Sequence, residues 1–255
     1  MEIKNRVAVI TGGQSGLGFA SAIQLLQQGA KVAVFDAANE INAGFAGFDA
    51  RVVQHFNVDV CSEKSVQSAI EKVMNVFGKI HICINCAGVA PAHKIIDRDN
   101  NAVPLREYER VIQINLIGTF NVCRLVAEKM ACNKLSQDGE ERGVIINTAS
   151  IAAYDGQKGQ CAYAASKGGI ASMTLPMARD LSASSIRVMT IASGIMATSL
   201  MLAMPDDVQE QLSRSIPFPR RMGKPQEFAQ LAEHIIENAY LNGETIRLDG
   251  SLRMV

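Results

Sequence analysis

Tyr163 and Lys167 stand four residues apart in the run YAASK, and on a helix that spacing puts both side chains on one face. A phenol with a pKa of about 10 is a poor acid or base at neutral pH, but a neighbouring ammonium favours the phenolate and lowers that value. Tyr163 then becomes a usable general acid or base for oxidising an alcohol or reducing a carbonyl. Ser150 lies 13 residues upstream, near enough for its hydroxyl to hold a substrate oxygen beside Tyr163. Standing alone, it would read as a helix cap or turn residue. Asn115 falls inside VIQINLIGTFNVCRLV, a helical run in which Asn is an indifferent helix former. It is either a satisfied core amide or the holder of a water that relays protons to Lys167.

A second group of residues suits a dinucleotide. TGGQSGLG places Gly12, Gly16 and Gly18 in the pattern T-G-x-x-x-G-x-G, between the strand-like RVAVI and a helical segment. Glycines there let the backbone turn tightly and approach a pyrophosphate, whose charge is stabilised by the N–H groups and dipole of the helix start. The next strand ends at Asp36, 18 residues after Gly18. A carboxylate there accepts from both hydroxyls of the adenosine ribose and repels a 2′-phosphate, which favours NAD over NADP. At the end of the third strand Asp59 is either an acceptor for the adenine amino group, with the Val60 N–H donating to the ring, or part of the cap of the helix opening at Ser62 and Glu63.

HICINCAG carries Cys83 and Cys86 as C-x-x-C, the spacing of redox dithiols and of half a zinc site. In a strand, residues three apart face opposite sides, so these thiols cannot converge on a metal or a disulfide. The expectation is that Ile80, Ile82 and Ile84 fill one face and Cys83 the other, while Asn85, Cys86 and Gly88 end the strand at the cofactor. The four histidines show no ligand spacing, and no metal site is expected.

The elements that must position these groups follow from the alternation of short Val/Ile-rich runs with segments of helical period. RVAVI, KVAVFD, RVVQHFNV, KIHICIN, GVIINTAS, IRVMTIAS and ETIRLDG predict an α/β fold: one doubly wound Rossmann domain over 1–255, with a seven-stranded parallel sheet and helices on both faces. Two irregular stretches, 90–104 and 194–225, follow strand ends, where ligands bind in such sheets. The second, interrupted by Pro205, Pro217, Pro219 and Pro225, is the expected substrate lid. Arg214, Arg220, Arg221 and Lys224 surround it as charges on its rim.

Bulk properties narrow the class. With 25 basic and 25 acidic residues in 255, no global positive field recruits nucleic acid or anionic membrane. No apolar run approaches the roughly 18 to 20 residues that cross a bilayer, and the first strand begins too early to leave room for a signal peptide. Six irregularly spaced cysteines predict reduced thiols and a cytoplasmic protein.

Together, TGGQSGLG, NCAG, Asn115, Ser150 and YAASK resemble, in order and spacing, the short-chain dehydrogenase/reductase family, from Val7 to Arg253. The resemblance implies an enzyme with an Asn115, Ser150, Tyr163, Lys167 tetrad that transfers hydride on the nicotinamide of NAD. It also implies cofactor contacts at Ser15, Leu17, Cys86, Met196 and Thr198 and a substrate contact at Gln160. RGVIINTASIAAYDGQKGQCAYAASKGGI, MTLPMARDL, IRVMTIASG and NGETIRLDGSLRM are most similar to members that oxidise a short 3-hydroxyacyl-CoA, with the 2-methyl-branched acyl group as one candidate, to the 3-oxo thioester. On that likeness Arg214, Arg220, Arg221 and Lys224 either meet the coenzyme A phosphates or form a solvated rim, and Met201 and Met204 are candidates to line an acyl pocket. The runner-up activities are 3-oxoacyl-carrier-protein reductase and steroid or alcohol dehydrogenase. The reading from another class is an inert nucleotide-binding protein. Such relatives assemble as homotetramers, and the C-terminal RLDGSLRMV is apolar enough to suit an interface. The chain departs from the family at Ser193-Gly194, where Pro-Gly is usual. Proline holds φ near −65°, and losing it frees the unfolded chain by about 0.4 to 1 kcal/mol. The expectation is a working enzyme with weaker cofactor affinity.

Overall fold

All seven apolar runs form strands in the computed structural model, which describes residues 1–135 and 141–254. They are β1 (Val7–Thr11), β2 (Lys31–Asp36), β3 (Val53–Asn57), β4 (Ile82–Asn85), β5 (Gly143–Ser150), β6 (Ile186–Ser193) and β7 (Thr245–Leu248). Every pairing is parallel, in the order β3-β2-β1-β4-β5-β6-β7. β1, β4, β5 and β6 are buried along their whole length, whereas the edge strands β3 and β7 keep partly exposed residues. Continuous Val/Ile runs in the middle and mixed composition at the edges follow from covering both faces of the sheet.

The cover consists of α1 (Gly16–Gln27), α2 (Glu63–Phe77), α3 (Leu105–Ile112), α4 (Gly118–Ala131), α5 (Cys161–Asp180), α6 (Ser199–Leu202), α7 (Asp206–Ser215) and α8 (Pro225–Glu237). Strand alternation divides the core. Ala8, Ile10, Ile82, Ile84, Val144 and Ile146 pack with α1 and α8 on one side. Val7, Val9, Cys83 and Ile145 pack with α2, α4 and α5 on the other. Each fully buried Leu, Ile or Val contributes about 1.5–3 kcal/mol relative to exposure, so a one-residue slip of any inner strand is strongly disfavoured.

Two expectations need correction. Ile80 packs with Cys83, not with Ile82 and Ile84. Regular pairing starts only at Ile82, so the two-residue alternation does not extend back through Lys79–His81. The 194–225 stretch is not irregular throughout, because it contains α6 and α7. Pro205 stands at the N-cap of α7, where proline is compatible with a helix start, and Asp206 and Asp207 in the first turn with Arg214 in the last complement the helix dipole. The ends of this excursion are tied together: the Ala197 N–H donates to the Gly223 carbonyl at 2.8 Å and the Gly223 N–H to the Ile195 carbonyl at 2.9 Å.

The chain builds β1, β2 and β3 outward in one direction, then crosses back to place β4 on the other side of β1. Thr11 and Asn85 end these two strands in register, and the crevice beyond them is where the topology of a doubly wound sheet opens a ligand site. Among the described residues no helix is long and apolar enough to cross a membrane.

Candidate active site

The crevice is held open by hydroxyl and backbone groups. Thr11 Oγ1 accepts from the Cys86 and Ala87 N–H groups at 3.1 Å each, fixing the end of β4 against the end of β1. Gly12 and Gly16 adopt φ of 62° and 53°, the left-handed region that glycine enters without strain. Gly18 is required by contact, since a Cβ there would lie 2.3 Å from the Gly12 carbonyl oxygen. Ser15 caps α1 in extended conformation without a side-chain hydrogen bond, so the first N–H groups of the helix remain available to an anion. Leu17 packs at the edge of the core beneath. The Thr198 methyl lies 3.2 Å from where a Gly16 Cβ would be, which brings the segment after β6 against the glycine turn. Met196 is buried with the α1 core, leaving mainly its backbone to face the crevice.

Asp36 ends β2 partly exposed. Its Oδ2 accepts from the Gln14 N–H and its Oδ1 from the Ala38 N–H, both at 3.1 Å, which orients the carboxylate beside the glycine turn. Asp59 takes part in the start of α2, its N–H donating to Ser65 Oγ at 3.1 Å, but it is not the N-cap residue. Ser62 fills that role, accepting from the Ser65 N–H at 3.2 Å, while Asp59 Oδ1 accepts from the Cys61 N–H at 2.9 Å and the residue is exposed. The Val60 carbonyl accepts from Asn121 Nδ2 at 2.9 Å. Its N–H has no partner among the described residues. Glycine turn, carboxylate and free N–H together fit an adenine dinucleotide.

Asn85 ends β4. Its side chain is buried beneath the crevice and donates to Asn147 Oδ1 at 2.9 Å and to Cys123 Sγ at 3.3 Å. Cys86 Sγ lies 3.4 Å from Thr148 Oγ1, and burial pushes its thiol up to about 11, so it is a neutral wall group and not a nucleophile. Cys83 packs in the core on the opposite side of the sheet from Cys86, and all six cysteines are free.

The chemical end is built on β5, α5 and a widened helical turn. Residues Gln113–Ile117 form a π turn joining α3 to α4, and fully buried Asn115 sits within it. Such turns displace one residue from the helical register and are frequent at functional sites. Asn115 Oδ1 accepts from the Val89 N–H at 2.8 Å, and Nδ2 donates to the Val89 carbonyl at 2.9 Å and to Ser166 Oγ at 3.1 Å. The side chain is therefore a satisfied core amide that clamps the segment after β4, while its carbonyl accepts from Thr119 Oγ1 at 2.7 Å. Gly88 lies in the same place: a Cβ there would come within 3.1 Å of Asn115 Oδ1 and 3.8 Å of Lys167 Nζ.

Ser150 ends β5, its Oγ accepting from the Ala152 N–H at 3.1 Å, and its hydroxyl is near enough to Tyr163 to favour the phenolate. Lys167 Nζ donates to the Thr148 carbonyl at 2.6 Å and stands 5.8 Å from the centre of the Tyr163 ring. Burial lowers the Lys167 ammonium to about 8. Tyr163 departs from expectation, because burial raises its pKa against the opposing pull of the nearby Ser150 hydroxyl. Lys167 is held on the β5 carbonyl, so its attraction does not overcome desolvation of the phenolate. An oxidised nicotinamide ring carries the positive charge that would favour the phenolate.

Gln160 precedes α5, with Oε1 accepting from the Gln157 N–H at 3.0 Å, so only its amide NH₂ is left for another partner. Of the cations around the 194–225 stretch, Arg214 pairs with Glu210, and Arg221 grips Glu227 at 2.9 and 2.6 Å. Thr11, Thr148 and Ser166 are the supporting residues that sequence reasoning missed. They work through backbone and hydroxyl contacts, Thr11 to Cys86 and Ala87, Thr148 to Lys167 and Cys86, and Ser166 to Asn115 and Tyr163, none of which leaves a spacing signal in the sequence.

Residues 6–209 match the family model described as short chain dehydrogenase. The chain belongs to that family. Over 253 residues it is 50% identical to the 3-hydroxyacyl-CoA dehydrogenase type-2 of Bos taurus, covering 99% of this chain and 97% of that one. It is 31% identical to a 3-oxoacyl-[acyl-carrier-protein] reductase of Thermotoga maritima, covering 99% of each chain. Its fold superposes on the crystal structure of a 3-hydroxyacyl-CoA dehydrogenase type-2 from Mycobacterium avium with a TM-score of 0.92 at 37% identity, covering 100% of this chain and 99% of that one. Family membership makes the chain an oxidoreductase of the short-chain dehydrogenase type, with a nicotinamide cofactor.

Proposed function

We propose that this oxidoreductase uses NAD to oxidise a short-chain 3-hydroxyacyl-CoA, the 2-methyl-branched one among the candidates, to the 3-oxoacyl-CoA. The observation that carries this reading is the convergence at the end of β5 of Ser150 and Tyr163 with Lys167, which is held on the Thr148 carbonyl 5.8 Å from the Tyr163 ring, with the glycine turn across the crevice. Half-identity to the bovine 3-hydroxyacyl-CoA dehydrogenase type-2 supports the substrate.

In this reading Ser150 holds the substrate hydroxyl oxygen, and the Tyr163 phenolate takes the hydroxyl proton. The C–O bond becomes C=O as the hydride on carbon 3 passes to the cofactor. Gln160 contacts the acyl-CoA. Asp36 receives the adenosine ribose hydroxyls and discriminates against a 2′-phosphate, Asp59 and Val60 receive the adenine, and Gly12, Ser15, Gly16, Leu17 and Gly18 receive the pyrophosphate. The 194–225 excursion closes over the acyl chain as a lid, with Arg220 and Lys224 the cations nearest to serve the coenzyme A phosphates.

The enzyme acts as a homotetramer in a reducing, cytoplasm-like compartment. Exposed Ile117, Phe120 and Leu175 on the π turn, α4 and α5 support the assembly, and six unpaired cysteines support the compartment. Of the C-terminal run also expected at an interface, Val255 lies outside the described residues.

The test is a panel of 3-hydroxyacyl-CoAs, steroids and secondary alcohols run in parallel with NAD and NADP, with Tyr163→Phe as control. NADH formation on short 3-hydroxyacyl-CoAs, reduced about 10²–10⁴-fold in the variant, is the expected result. Preference for NADPH and a 3-oxoacyl carrier-protein substrate would replace this reading with the reductase, and no turnover on any substrate would leave a nucleotide-binding protein. Unchanged turnover by Tyr163→Phe would remove that residue from the chemistry.

A further inference from the structure

Ser193, which stands where the family usually carries proline, ends β6 beside Ser150: the two are register partners across the parallel β5–β6 pair. Register partners on neighbouring strands, about 4.8 Å apart, extend to the same face of the sheet. Along β6 that face carries Met189 and Ile191, which pack with α1, the helix opened by the glycine turn. Ser193 therefore sits on the cofactor side of the crevice, next to Ser150.

Its surroundings are rigid and its hydroxyl is uncommitted. Gly194 donates its N–H to the Leu248 carbonyl at 2.9 Å, and a Cβ at Gly194 would lie 2.8 Å from Asp249 Cα. The backbone is thus pinned against β7 and the segment after it without help from a proline ring. Ser193 is 7% exposed, yet its Oγ has no hydrogen-bond partner among the described residues and is not one of the sealed, unpaired buried atoms. An unpartnered hydroxyl on a rigid wall, left open to the crevice, can donate to or accept from a bound group without breaking any protein contact. From Ser193 the chain runs five residues to Thr198, whose methyl faces Gly16. The wall therefore spans from the pyrophosphate turn to the reacting oxygen, and the part of a dinucleotide lying at its Ser150 end is the nicotinamide.

We propose that the Ser193 hydroxyl is a cofactor-positioning group that hydrogen-bonds the nicotinamide carboxamide, so that this chain supplies by a side chain the restraint that proline would supply by ring rigidity. The proposal rests on the nicotinamide-cofactor reading of the crevice and not on the choice of substrate.

The test compares wild type with Ser193→Ala for binding of NADH, by fluorescence titration, and of ADP-ribose, which lacks the nicotinamide, by calorimetry. The expected result is NADH affinity about 5- to 10-fold weaker in Ser193→Ala, with ADP-ribose affinity unchanged, which also shows that the variant keeps a folded site. Equal NADH affinity in both proteins, or equal weakening toward both ligands, would overturn the proposal. If wild type binds NADPH and not NADH, the assignment of NAD fails, and the same comparison with NADPH and 2′-phospho-ADP-ribose decides the role of Ser193.

Discussion

The Lys167 ammonium donates to the Thr148 carbonyl at 2.6 Å, two residues before Ser150 on the same strand. The lysine is thereby registered to the strand that presents Ser150 and needs no direct bond to Tyr163. An ammonium has three donors, so two remain for the crevice. Replacing it with Met keeps an unbranched apolar stem of similar reach and removes the charge. Lys167→Met should lower kcat by about 10²-fold, measured under saturating cofactor and substrate. A kcat within twofold of wild type would show that the lysine only fills space.

Asn115 satisfies both backbone groups of Val89 from within a π turn. In Asn115→Ala those groups lose their partners in a part-buried setting, and each orphaned group costs up to about 1–3 kcal/mol. The variant should lose roughly 2–4 kcal/mol of stability, read as a lower urea midpoint with unchanged slope. A shift below about 0.5 kcal/mol would mean that water or a rearranged helix replaces the amide.

Asp36 is oriented by two N–H groups, and in the proposed reading its charge opposes a 2′-phosphate. Asp36→Asn removes the charge at nearly constant shape. The ratio of kcat/KM with NADP to that with NAD should rise about tenfold to a hundredfold, corresponding to removal of about 1.4–2.8 kcal/mol of like-charge repulsion. An unchanged ratio would move the discrimination to another residue.

His81 is buried, and its Nδ1 accepts from the Val7 N–H at 3.1 Å. Burial first, then the charges of Arg6 and Lys79, depress its pKa from 6.5 to about 4. The unfolded chain thus binds a proton below pH 6.5 that the native state refuses until about pH 4. The stability this provides is complete above pH 6.5 and is lost progressively as pH falls toward 4. The shift caps the loss at about 3 kcal/mol, and solvent screening brings it to roughly 1–2 kcal/mol. His81→Asn, whose amide oxygen can replace Nδ1, should show a flatter stability profile between pH 6.5 and 4 by urea titration. An identical acid profile would assign the effect to other groups.

Seven strands, their parallel arrangement and the glycine turn were legible because they rest on local rules: alternation along a strand, continuous apolar runs where both faces are covered, and glycine where the backbone must turn or touch. Ile80 and the 194–225 stretch were misread for the opposite reason. Whether alternation extends past a strand end depends on where its neighbour starts pairing, and whether a proline breaks or begins a helix depends on its position within the first turn.

The types and order of Tyr163, Lys167, Ser150, Asn115 and Asp36 are properties of the sequence, and so is the exclusion of Cys83 and Cys86 as a dithiol, since two-residue periodicity alone sends them to opposite faces. Only the tertiary structure decided that Tyr163 is raised by burial, that Lys167 is held by the Thr148 carbonyl, that Asn115 clamps Val89, and that the Ser193 hydroxyl is left without a partner beside Ser150. Desolvation and hydrogen-bond satisfaction are sums over neighbours brought together from distant parts of the chain, and no local pattern encodes them.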